Sequence, residues 1–376
     1  MANPAKPMSV GLPRMHKEPS ERRDFLPPLV GLLAGMGCDV VLEDGIGSAM
    51  GIPIEDYLIA PNVRVGTEAE AYAQDLVIVL RAPEGRYELL RRGAILLSML
   101  HFPTRPARVR MLEELGIDAI SLDSIANDDG RRLVENLRSV AWNGVGAAFA
   151  ALERTWPELT RPGRRPVGVT IMGTGRIGRH AVDFATKYGD DTRNEAFMRM
   201  GLAGVEVVTT GRNLTRDTAY FRDRLARTDI LVDATQRRDP SEPLVRNEWL
   251  ADMPEHAVLC DLTVDPYLLD AHPRVVRGIE GIPQGSLDQW EFAPDDPAWD
   301  LQVPAAIPHA VRRTVVSCYS WPGVRPEPCM HVYGSQLAPL LDALVTAGGV
   351  SGLRPDGPFH ERALWRGSLR GWLAGS

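Results

Sequence analysis

The sequence has few cysteines, no long apolar run and no excess of positive charge, and each absence excludes a class of protein. Its four cysteines among 376 residues, Cys38, Cys260, Cys318 and Cys329, show neither a CxxC spacing nor a Cys/His metal-binding spacing. We therefore expect them to be reduced and mostly buried. A disulfide framework, a zinc site and any other metal centre are not expected.

Membrane insertion and secretion have no support in the sequence. No uninterrupted apolar stretch approaches the roughly 18 residues that suggest a membrane-spanning helix. Residues 1–8 are polar and contain proline, without the apolar core of a signal peptide. We expect no membrane partner, and the cytoplasm is the expected location.

The charge of the chain argues against a nucleic-acid partner. The formal net charge is -7, and the basic clusters at residues 161–165 and 237–238 are short and isolated. The expected partner is instead a small molecule. The sequence leaves a monomer and a homo-oligomer equally open.

The order of apolar segments indicates an α/β protein. In the first part of the chain, short aliphatic runs alternate with helical patterns, at residues 9–12, 26–36, 39–43, 76–80, 95–100, 107–115 and 118–122. A helix is predicted at 130–156 as a connection, and a proline- and glycine-containing linker follows at 160–166. Further strands are predicted at 167–172, 205–209, 230–234, 257–262 and 314–318, and helices at 179–188 and 335–347. We expect two Rossmann-like domains with parallel sheets.

The clearest motif is the sequence Gly173-Thr-Gly175-Arg176-Ile177-Gly178, a GxGxxG pattern. The pattern alone is weak, but here it lies between an apolar strand and a helical segment. In that context the first glycine permits the turn, the second lets the backbone approach a pyrophosphate, and the third allows close packing of helix on strand. The segment predicts a dinucleotide site at the positive end of a helix.

The end of the second strand bears on the choice of cofactor. A site selective for NAD commonly has Asp or Glu there, whereas this chain has Thr209, Thr210, Gly211 and Arg212. Arg212 can pair with a 2′-phosphate, which slightly favours NADP over NAD. The alternative is that Arg212 is a solvated loop residue.

Several polar residues follow predicted strands, where a doubly wound sheet binds its ligands. Asp261 and Asp265 lie four residues apart after one strand, and His101 follows another. Arg23 and Arg81 lie at element boundaries and are suited to bidentate binding of a carboxylate. Taken singly, each can equally be a loop cap, a structural histidine or a solvent-exposed cation.

Together these residues resemble the family that contains alanine dehydrogenase, the transhydrogenase nucleotide module and lysine-forming saccharopine dehydrogenase. The resemblance extends over residues 9–347. It implies that Arg23 binds substrate, that His101 and Asp265 are catalytic, and that residues 320–324, including Trp321, pass near the nicotinamide. It implies a cofactor contact for Thr235 as well.

The resemblance also implies a domain plan. Residues 1–145, completed by about 318–376, would form the substrate-binding domain, and residues 165–310 the dinucleotide-binding Rossmann domain. The active site would lie in the cleft between them.

Within the family, the run Asn127-Asp-Asp-Gly-Arg131-Arg132 is similar to saccharopine dehydrogenase and unlike alanine dehydrogenase. Arg131 would then hold a second substrate carboxylate. Two departures matter: Arg81 stands where the family usually has lysine, and the acid after the second strand is missing. Because arginine stays protonated, Arg81 can bind a carboxylate but is a poor base.

The family reaction is hydride transfer to NAD(P) with interconversion of a carbon–nitrogen single bond and an imine, which is hydrolysed to an amine and a 2-oxo acid. The leading hypothesis is therefore a saccharopine- or opine-type dehydrogenase that joins an amino acid such as lysine to a 2-oxo acid such as 2-oxoglutarate. One alternative is reductive amination of a 2-oxo acid, as in alanine dehydrogenase. The other is a regulatory module that binds NAD(P)H without turnover.

Overall fold

The computed structural model of the protein describes residues 7–16 and 18–375. The expectation that residues 1–8 do not form a signal peptide falls mostly on residues 1–6, which lie outside the described residues. The chain forms two compact units, one of residues up to Asn136 with those from Arg325 onward, the other of residues Leu137–Val324. Among the described residues, no helix combines the length and hydrophobicity needed to cross a bilayer.

Twelve strands and twelve helices can be followed in the described residues. The strands are β1 Ser9–Leu12, β2 Asp39–Glu43, β3 Val63–Gly66, β4 Leu76–Arg81, β5 Ile95–Met99, β6 Asp118–Ser121, β7 Val167–Met172, β8 Val205–Thr210, β9 Ile230–Asp233, β10 Val258–Asp261, β11 Glu291–Phe292 and β12 Thr314–Ser317. The helices are α1 Pro27–Gly35, α2 Glu68–Tyr72, α3 Pro106–Leu115, α4 Leu137–Thr155, α5 Arg176–Ala185, α6 Asp191–Arg199, α7 Arg212–Arg216, α8 Thr218–Leu225, α9 Ala298–Gln302, α10 Pro326–Thr346, α11 Phe359–Gly367 and α12 Leu369–Gly375. Short 3-10 helices connect several of them.

The first unit contains a six-stranded parallel sheet of order β3-β2-β1-β4-β5-β6. Its strands are nearly continuous apolar runs because both faces of a parallel sheet are covered by helices. The five residues Leu76–Leu80 of β4, for example, are all buried. The chain leaves β1 toward β2 and later returns to β4 on the other side, so the carboxyl ends of β1 and β4 form a topological switch point, where such sheets bind ligands.

The second unit contains a sheet of order β11-β12-β10-β9-β7-β8, parallel except for the short edge strand β11. Helix α4 packs on this sheet through Gly144, where an added Cβ would lie 2.2 Å from a methyl carbon of Leu262. Its Asn143 amide donates a 2.7 Å hydrogen bond to the carbonyl of Trp321. These contacts make α4 part of the second unit. The predicted fold class, two Rossmann-like domains with parallel sheets, is confirmed.

Several boundaries differ from those predicted. The division falls at Asn136/Leu137 and Val324/Arg325, instead of near 145–165 and 310–318, because α4 packs on the second sheet and β12 is one of its strands. The helix predicted at 130–156 begins only at Leu137, after a turn. The helix predicted at 179–188 already begins at Arg176, because Gly175 serves as its N-cap. The short strand β3 has no counterpart in the predictions.

Candidate functional site

Four candidate residues of the first unit lie at or beyond the carboxyl ends of strands in its sheet. Arg81 ends β4 and His101 comes two residues after β5, whereas Arg23 and Arg131 come about ten residues after β1 and β6. These four strands are consecutive in the sheet, and all run in the same direction. The structure thus places Arg81 and His101 at the carboxyl ends of neighbouring strands.

Arg23 is held by Glu21. Its guanidinium, 4% exposed, donates to both carboxylate oxygens of Glu21, with Nε to Oε1 at 2.8 Å and the terminal nitrogen to Oε2 at 2.5 Å. Burial by itself would raise the pKa of Glu21, but the hydrogen bond and charge of Arg23, with the charge of Arg81, lower it on balance. Arg23 is therefore a buried cation that is already paired within its own loop.

Arg81 shares this carboxylate. Its Nη1 lies 3.4 Å from Glu18 Oε1 and 3.5 Å from Glu21 Oε2, and both glutamates are almost fully buried. Arg81 also lines a cavity of about 150 Å³ together with His16 and Arg86, more than enough space for several water molecules. A carboxylate entering this cavity would meet a guanidinium whose charge is partly compensated.

His101 is oriented by a neighbouring carboxylate. Its Nδ1 lies 3.1 Å from Asp123 Oδ2, and its backbone N–H donates to Asp123 Oδ1 at 3.2 Å. The Ser121 hydroxyl donates to the same oxygen at 2.7 Å. Burial would raise the pKa of Asp123, but His101 and Ser121 lower it to about 2. Asp123 is thus ionised at neutral pH and favours the tautomer with the proton on Nδ1, which leaves Nε2 to exchange protons.

The backbone conformation of His101 supports a functional role for this residue. Its φ of 54° lies in the left-handed region, which is uncommon for residues other than glycine. Its side chain is about half exposed, whereas that of Asp123 is buried. A rigid acceptor therefore holds an accessible imidazole at the strand end.

Arg131 belongs to a tight turn. The side chain of Asn127 accepts the backbone N–H groups of Asp129, at 3.1 Å, and of Arg131, at 2.8 Å. The side chain of Asp128 is bound by arginines of the C-terminal helices, while Arg131 itself is exposed. The turn fixes the backbone position of Arg131 and leaves its side chain accessible.

The glycine-rich loop of the second unit has the geometry that its sequence predicts. Gly173 has a φ of +98°, and a Cβ on it would lie 2.5 Å from the Ala234 carbonyl oxygen. A Cβ on Gly178 would lie 2.1 Å from the carbonyl oxygen of Gly173, whereas Gly175 borders open space. Arg176 is exposed at the start of α5, and Ile177 packs against the core. The first and third glycines are required by packing, and the second leaves room for a ligand at the helix end.

Two predicted cofactor residues lie at the end of β8, Thr210 and Arg212, and they differ in exposure. Thr210 is fully buried, and its hydroxyl is 3.5 Å from the Ile171 carbonyl oxygen, so it serves mainly to complete the sheet. Arg212 is exposed as the first residue of α7. Of the two, only Arg212 has a side chain available to a ligand.

A buried carboxylate pair ends β9 and β10. Asp233 and Asp261 are direct partners in the parallel register, 1% and 2% exposed. Asp261 accepts from Arg277 at 2.5 Å, while Asp233 accepts the backbone N–H and the hydroxyl of Thr235 at 3.0 and 2.7 Å. Burial, then the charge of Asp261, raises the pKa of Asp233 to about 7. The predicted cofactor residue Thr235 is therefore bound to a carboxyl group that titrates near neutral pH.

Asp265 is the more accessible of the two predicted aspartates. Its side chain is 37% exposed and accepts a 2.6 Å hydrogen bond from Arg237, a buried cation. The preceding Val264 has a φ of 53°, which is strained for a β-branched residue. Pro266 and Tyr267, which follow, line an open cavity of about 540 Å³. Asp265 can thus meet a ligand, whereas Asp261 is structural.

Trp321, for which the sequence predicts a cofactor contact, has an enclosed side chain. Its ring is 1% exposed, and its indole N–H donates to the backbone carbonyl of Asp261 at 2.8 Å. A side chain so enclosed supports the end of β10 and is not available to a ligand.

Side chains of the kinds that bind metals also meet beside the cavity that Arg81 lines. His16, Glu43 and Glu68 bring possible metal-binding atoms within 4.8 Å of one another. His16 Nε2 is 2.7 Å from Glu43 Oε1, and Arg86 binds Glu68. These ion pairs account for the cluster, and we assign no metal to it. The four cysteines form no disulfide, and all four are buried.

Comparison with known proteins supports the family resemblance. Residues 11–141 match the model of the family described as alanine dehydrogenase/PNT, N-terminal domain. The chain is 27% identical over 270 residues to an alanine dehydrogenase of Mycobacterium tuberculosis (strain CDC 1551 / Oshkosh), covering 69% of this chain and 73% of that protein. It is 24% identical over 272 residues to an alanine dehydrogenase of Bacillus subtilis (strain 168), covering 69% and 71%.

Solved structures agree on the fold. An L-alanine dehydrogenase superposes with a TM-score of 0.71 at 20% identity, covering 96% of this chain and 94% of that one. A transhydrogenase from Sinorhizobium meliloti superposes with a TM-score of 0.65 at 19% identity, covering 95% and 97%. The predicted closeness to the saccharopine dehydrogenase branch gains no support from these relatives.

Proposed function

We propose that the protein is an NAD(P)-dependent dehydrogenase that acts on the carbon–nitrogen bond of a small amino acid, in the manner of an alanine dehydrogenase. The observation that carries the proposal is the pairing of His101 with the buried carboxylate of Asp123 beside Arg81, at the carboxyl edge of the first sheet. The similarity to proteins named alanine dehydrogenase supports it.

The second unit would hold the dinucleotide. The open space at Gly175, the close approaches at Gly173 and Gly178 and the free start of the ten-residue helix α5 fit a pyrophosphate. When bound, the nicotinamide accepts a hydride from the amino acid Cα, or returns it in the reverse direction. The overall reaction converts amino acid, oxidised cofactor and water into 2-oxo acid, ammonium, reduced cofactor and a proton.

The first unit would bind the substrate and exchange protons with it. Loss of hydride from the neutral amine leaves an iminium ion, and water must lose a proton as it adds to the iminium carbon. His101 can take that proton at Nε2, while Asp123 stabilises the imidazolium through Nδ1. Asp265 is a second accessible carboxyl group, and it accepts a hydrogen bond from Arg237.

Arg81 would bind the substrate carboxylate at its cavity. Its side chain is 20% exposed, and Glu18 and Glu21 set the direction of its guanidinium through Nη1. Arg23, which is 4% exposed and paired with Glu21, would act mainly by fixing this glutamate. Arg23 would then affect the substrate through Glu21, and not by the direct contact that the sequence predicts.

A secondary-amine dicarboxylate remains the second candidate substrate, because the exposed Arg131 follows β6, the strand that pairs with the one preceding His101. Consumption of NADH and NADPH should be measured with pyruvate plus ammonia and with 2-oxoglutarate plus lysine, with product identification. The proposal expects the first pair to be turned over. Turnover of the second pair alone would favour the saccharopine-type reaction, and tight NAD(P)H binding without turnover of any amino-acid and oxo-acid pair would favour a regulatory module.

Cofactor preference provides one prediction. Arg212→Ala should weaken NADPH binding selectively, by roughly 1.5–3 kcal/mol, because a charge-assisted contact to the 2′-phosphate is lost. Arg216→Ala, at the other end of α7, is the matched control and should have little effect. Both affinities are measurable by fluorescence titration. A clear preference for NADH that neither substitution alters would refute the assignment.

Substrate binding provides a second prediction. Arg81→Ala should raise the apparent KM for the oxo acid about tenfold or more, because the substrate carboxylate loses the guanidinium that binds it. Arg81→Lys should recover only part of the affinity, since it keeps the charge without the bidentate geometry. Arg110→Ala, an exposed position on α3, serves as control. An unchanged KM in Arg81→Ala would show that this residue does not bind the carboxylate.

A further inference from the structure

Arg237 lies in the loop that follows β9, and its guanidinium is enclosed. Its side chain is 4% exposed. Nη1 donates to the backbone carbonyl oxygens of Pro240 and Glu242, at 3.3 and 2.9 Å, and Nη2 donates to that of Val276. Nη2 also donates to Asp265 Oδ2 at 2.6 Å. Three backbone carbonyls thus fix the direction in which this planar group meets Asp265.

Asp265 is bound through one carboxylate oxygen and open at the other. Arg237 holds Oδ2, whereas no described residue donates a hydrogen bond to Oδ1. The side chain of Asp265 is 37% exposed, so a ligand can reach it. A short charge-assisted hydrogen bond of this kind is among the stronger polar contacts in proteins. The bond from Arg237 therefore decides where Oδ1 points.

The backbone at Asp265 has a separate anchor. The N–H groups of Thr263 and Val264 both donate to Asp261 Oδ1, at 3.0 and 2.9 Å. Asp261 is itself 2% exposed and ends β10. The backbone just before Asp265 is thus fixed to the sheet without Arg237. Loss of Arg237 should free the carboxylate to rotate while the backbone of this segment stays in place.

We propose that Arg237 is a positioning residue that turns the open Oδ1 of Asp265 toward the amino group of the substrate. The inference rests on the proposed function, in which an amino acid is oxidised. Such a substrate carries a nitrogen that donates hydrogen bonds, and a carboxylate oxygen is a matching acceptor. Asp265 contacts the substrate, and the enclosed Arg237 acts only through Asp265.

Arg274 provides a matched control. Its Nε donates to the Ser241 carbonyl oxygen at 3.0 Å, and its terminal nitrogen donates to Glu242 Oε1 at 3.2 Å. It therefore joins the same two segments as Arg237, the one after β9 and the one after β10, but both of these bonds end on the loop after β9 and not on Asp265. Arg274→Gln should leave turnover nearly unchanged.

A double-mutant cycle tests whether Arg237 acts through Asp265. With pyruvate plus ammonia, Arg237→Gln should lower kcat about tenfold or more, because a misdirected carboxylate no longer meets the substrate. In the Asp265→Ala background the same substitution should lower kcat less than about twofold, since no carboxylate remains to be positioned. Arg237→Lys should recover part of the loss. Equal factors in the two backgrounds, or native-like turnover in Arg237→Gln, would overturn the proposal.

The two substrates of this reaction should respond differently. Arg237→Gln should raise the apparent KM for ammonia about threefold or more and leave that for pyruvate nearly unchanged, because Arg81 binds the pyruvate carboxylate in the proposed function. Arg274→Gln should alter neither value. A similar rise of both KM values in Arg237→Gln would indicate a general disturbance of the site and would contradict the positioning role.

Urea unfolding tests the pair without turnover. Arg237→Gln should lower the unfolding midpoint more in the native background than in Asp265→Ala, because part of its effect is the lost bond to Asp265. Equal shifts in the two backgrounds would mean that the side chains are not coupled, which overturns the proposal whatever the substrate. Arg237→Lys, which keeps the charge, carries both cycles if Arg237→Gln does not fold. If no pair of amino acid and oxo acid is turned over, the proposed function fails, and unfolding alone decides whether Arg237 holds Asp265.

Discussion

Replacing His101 by Gln should reduce turnover about 100-fold or more, while the affinity for the dinucleotide stays nearly unchanged. Glutamine has a similar reach but cannot exchange a proton, and loss of a general acid–base group typically costs two to four orders of magnitude. His101, bound to Asp123, belongs to the first unit and is remote in sequence from the glycine-rich loop. The measurement is kcat with the best substrate pair, with cofactor affinity determined separately.

The same measurement distinguishes the role of the His101 imidazole from that of the carboxylate that orients it. Asp123→Asn should lower turnover less than His101→Gln, because it removes the orienting carboxylate and leaves the base in place. His331→Gln, on the exposed face of α10, is the control for replacing a histidine and should be inert. Native-like turnover in His101→Gln would remove this residue from the mechanism.

The strands and the glycine-rich loop could be predicted because local patterns determine them. The limits of β1, β2 and β7 agree with the predicted runs, since strands buried on both faces are continuous apolar segments. The spacing of Gly173, Gly175 and Gly178 after β7 likewise predicted the turn onto α5. Strand β3 has only four residues and a single buried position, which is too weak a pattern to recognise.

The partners of the candidate residues could not be predicted in the same way. Asp123 was overlooked because its relation to His101 depends on the pairing of β5 with β6, although its position just after a strand was a usable signal. Glu21 is only two residues from Arg23, yet spacing alone does not show that its side chain folds back onto the guanidinium. Trp321 was placed at the cofactor by resemblance, and only packing reveals that its ring is enclosed.

The pKa of Asp233 depends on neighbours that only the folded sheet brings together. Its carboxyl group is enclosed by Asp261 on the neighbouring strand, by Thr235 and by Gly278, whose Cα approaches it so closely that a Cβ would lie 2.0 Å from Oδ2. Arg237 is the nearby cation that lowers its pKa, and Arg277 is bound to Asp261. Burial and the neighbouring carboxylate dominate, so the pKa of Asp233 rises from 3.8 to about 7.

This shift has a definite effect on stability. Between about pH 4 and pH 7 the folded protein keeps the proton on Asp233, whereas the unfolded chain has released it. The folded state then binds more protons, so the free energy of unfolding falls as the pH rises through this window. The slope attributable to one such group is about 1.4 kcal/mol per pH unit, which amounts to several kcal/mol across the window.

Asp233→Asn should therefore stabilise the protein increasingly as the pH rises. Asparagine has the same shape and still accepts from Thr235, but it carries no charge at any pH, so it corresponds to the protonated aspartate. Urea unfolding at pH 5 and pH 8 should show a free-energy difference between variant and native protein that is more favourable to the variant at pH 8, by about 2 kcal/mol or more. Asp239→Asn is the control, because that exposed carboxyl has a lowered pKa and has finished titrating below this range. A difference that stays constant between the two pH values, or that shrinks, would mean that Asp233 is already ionised in the folded protein.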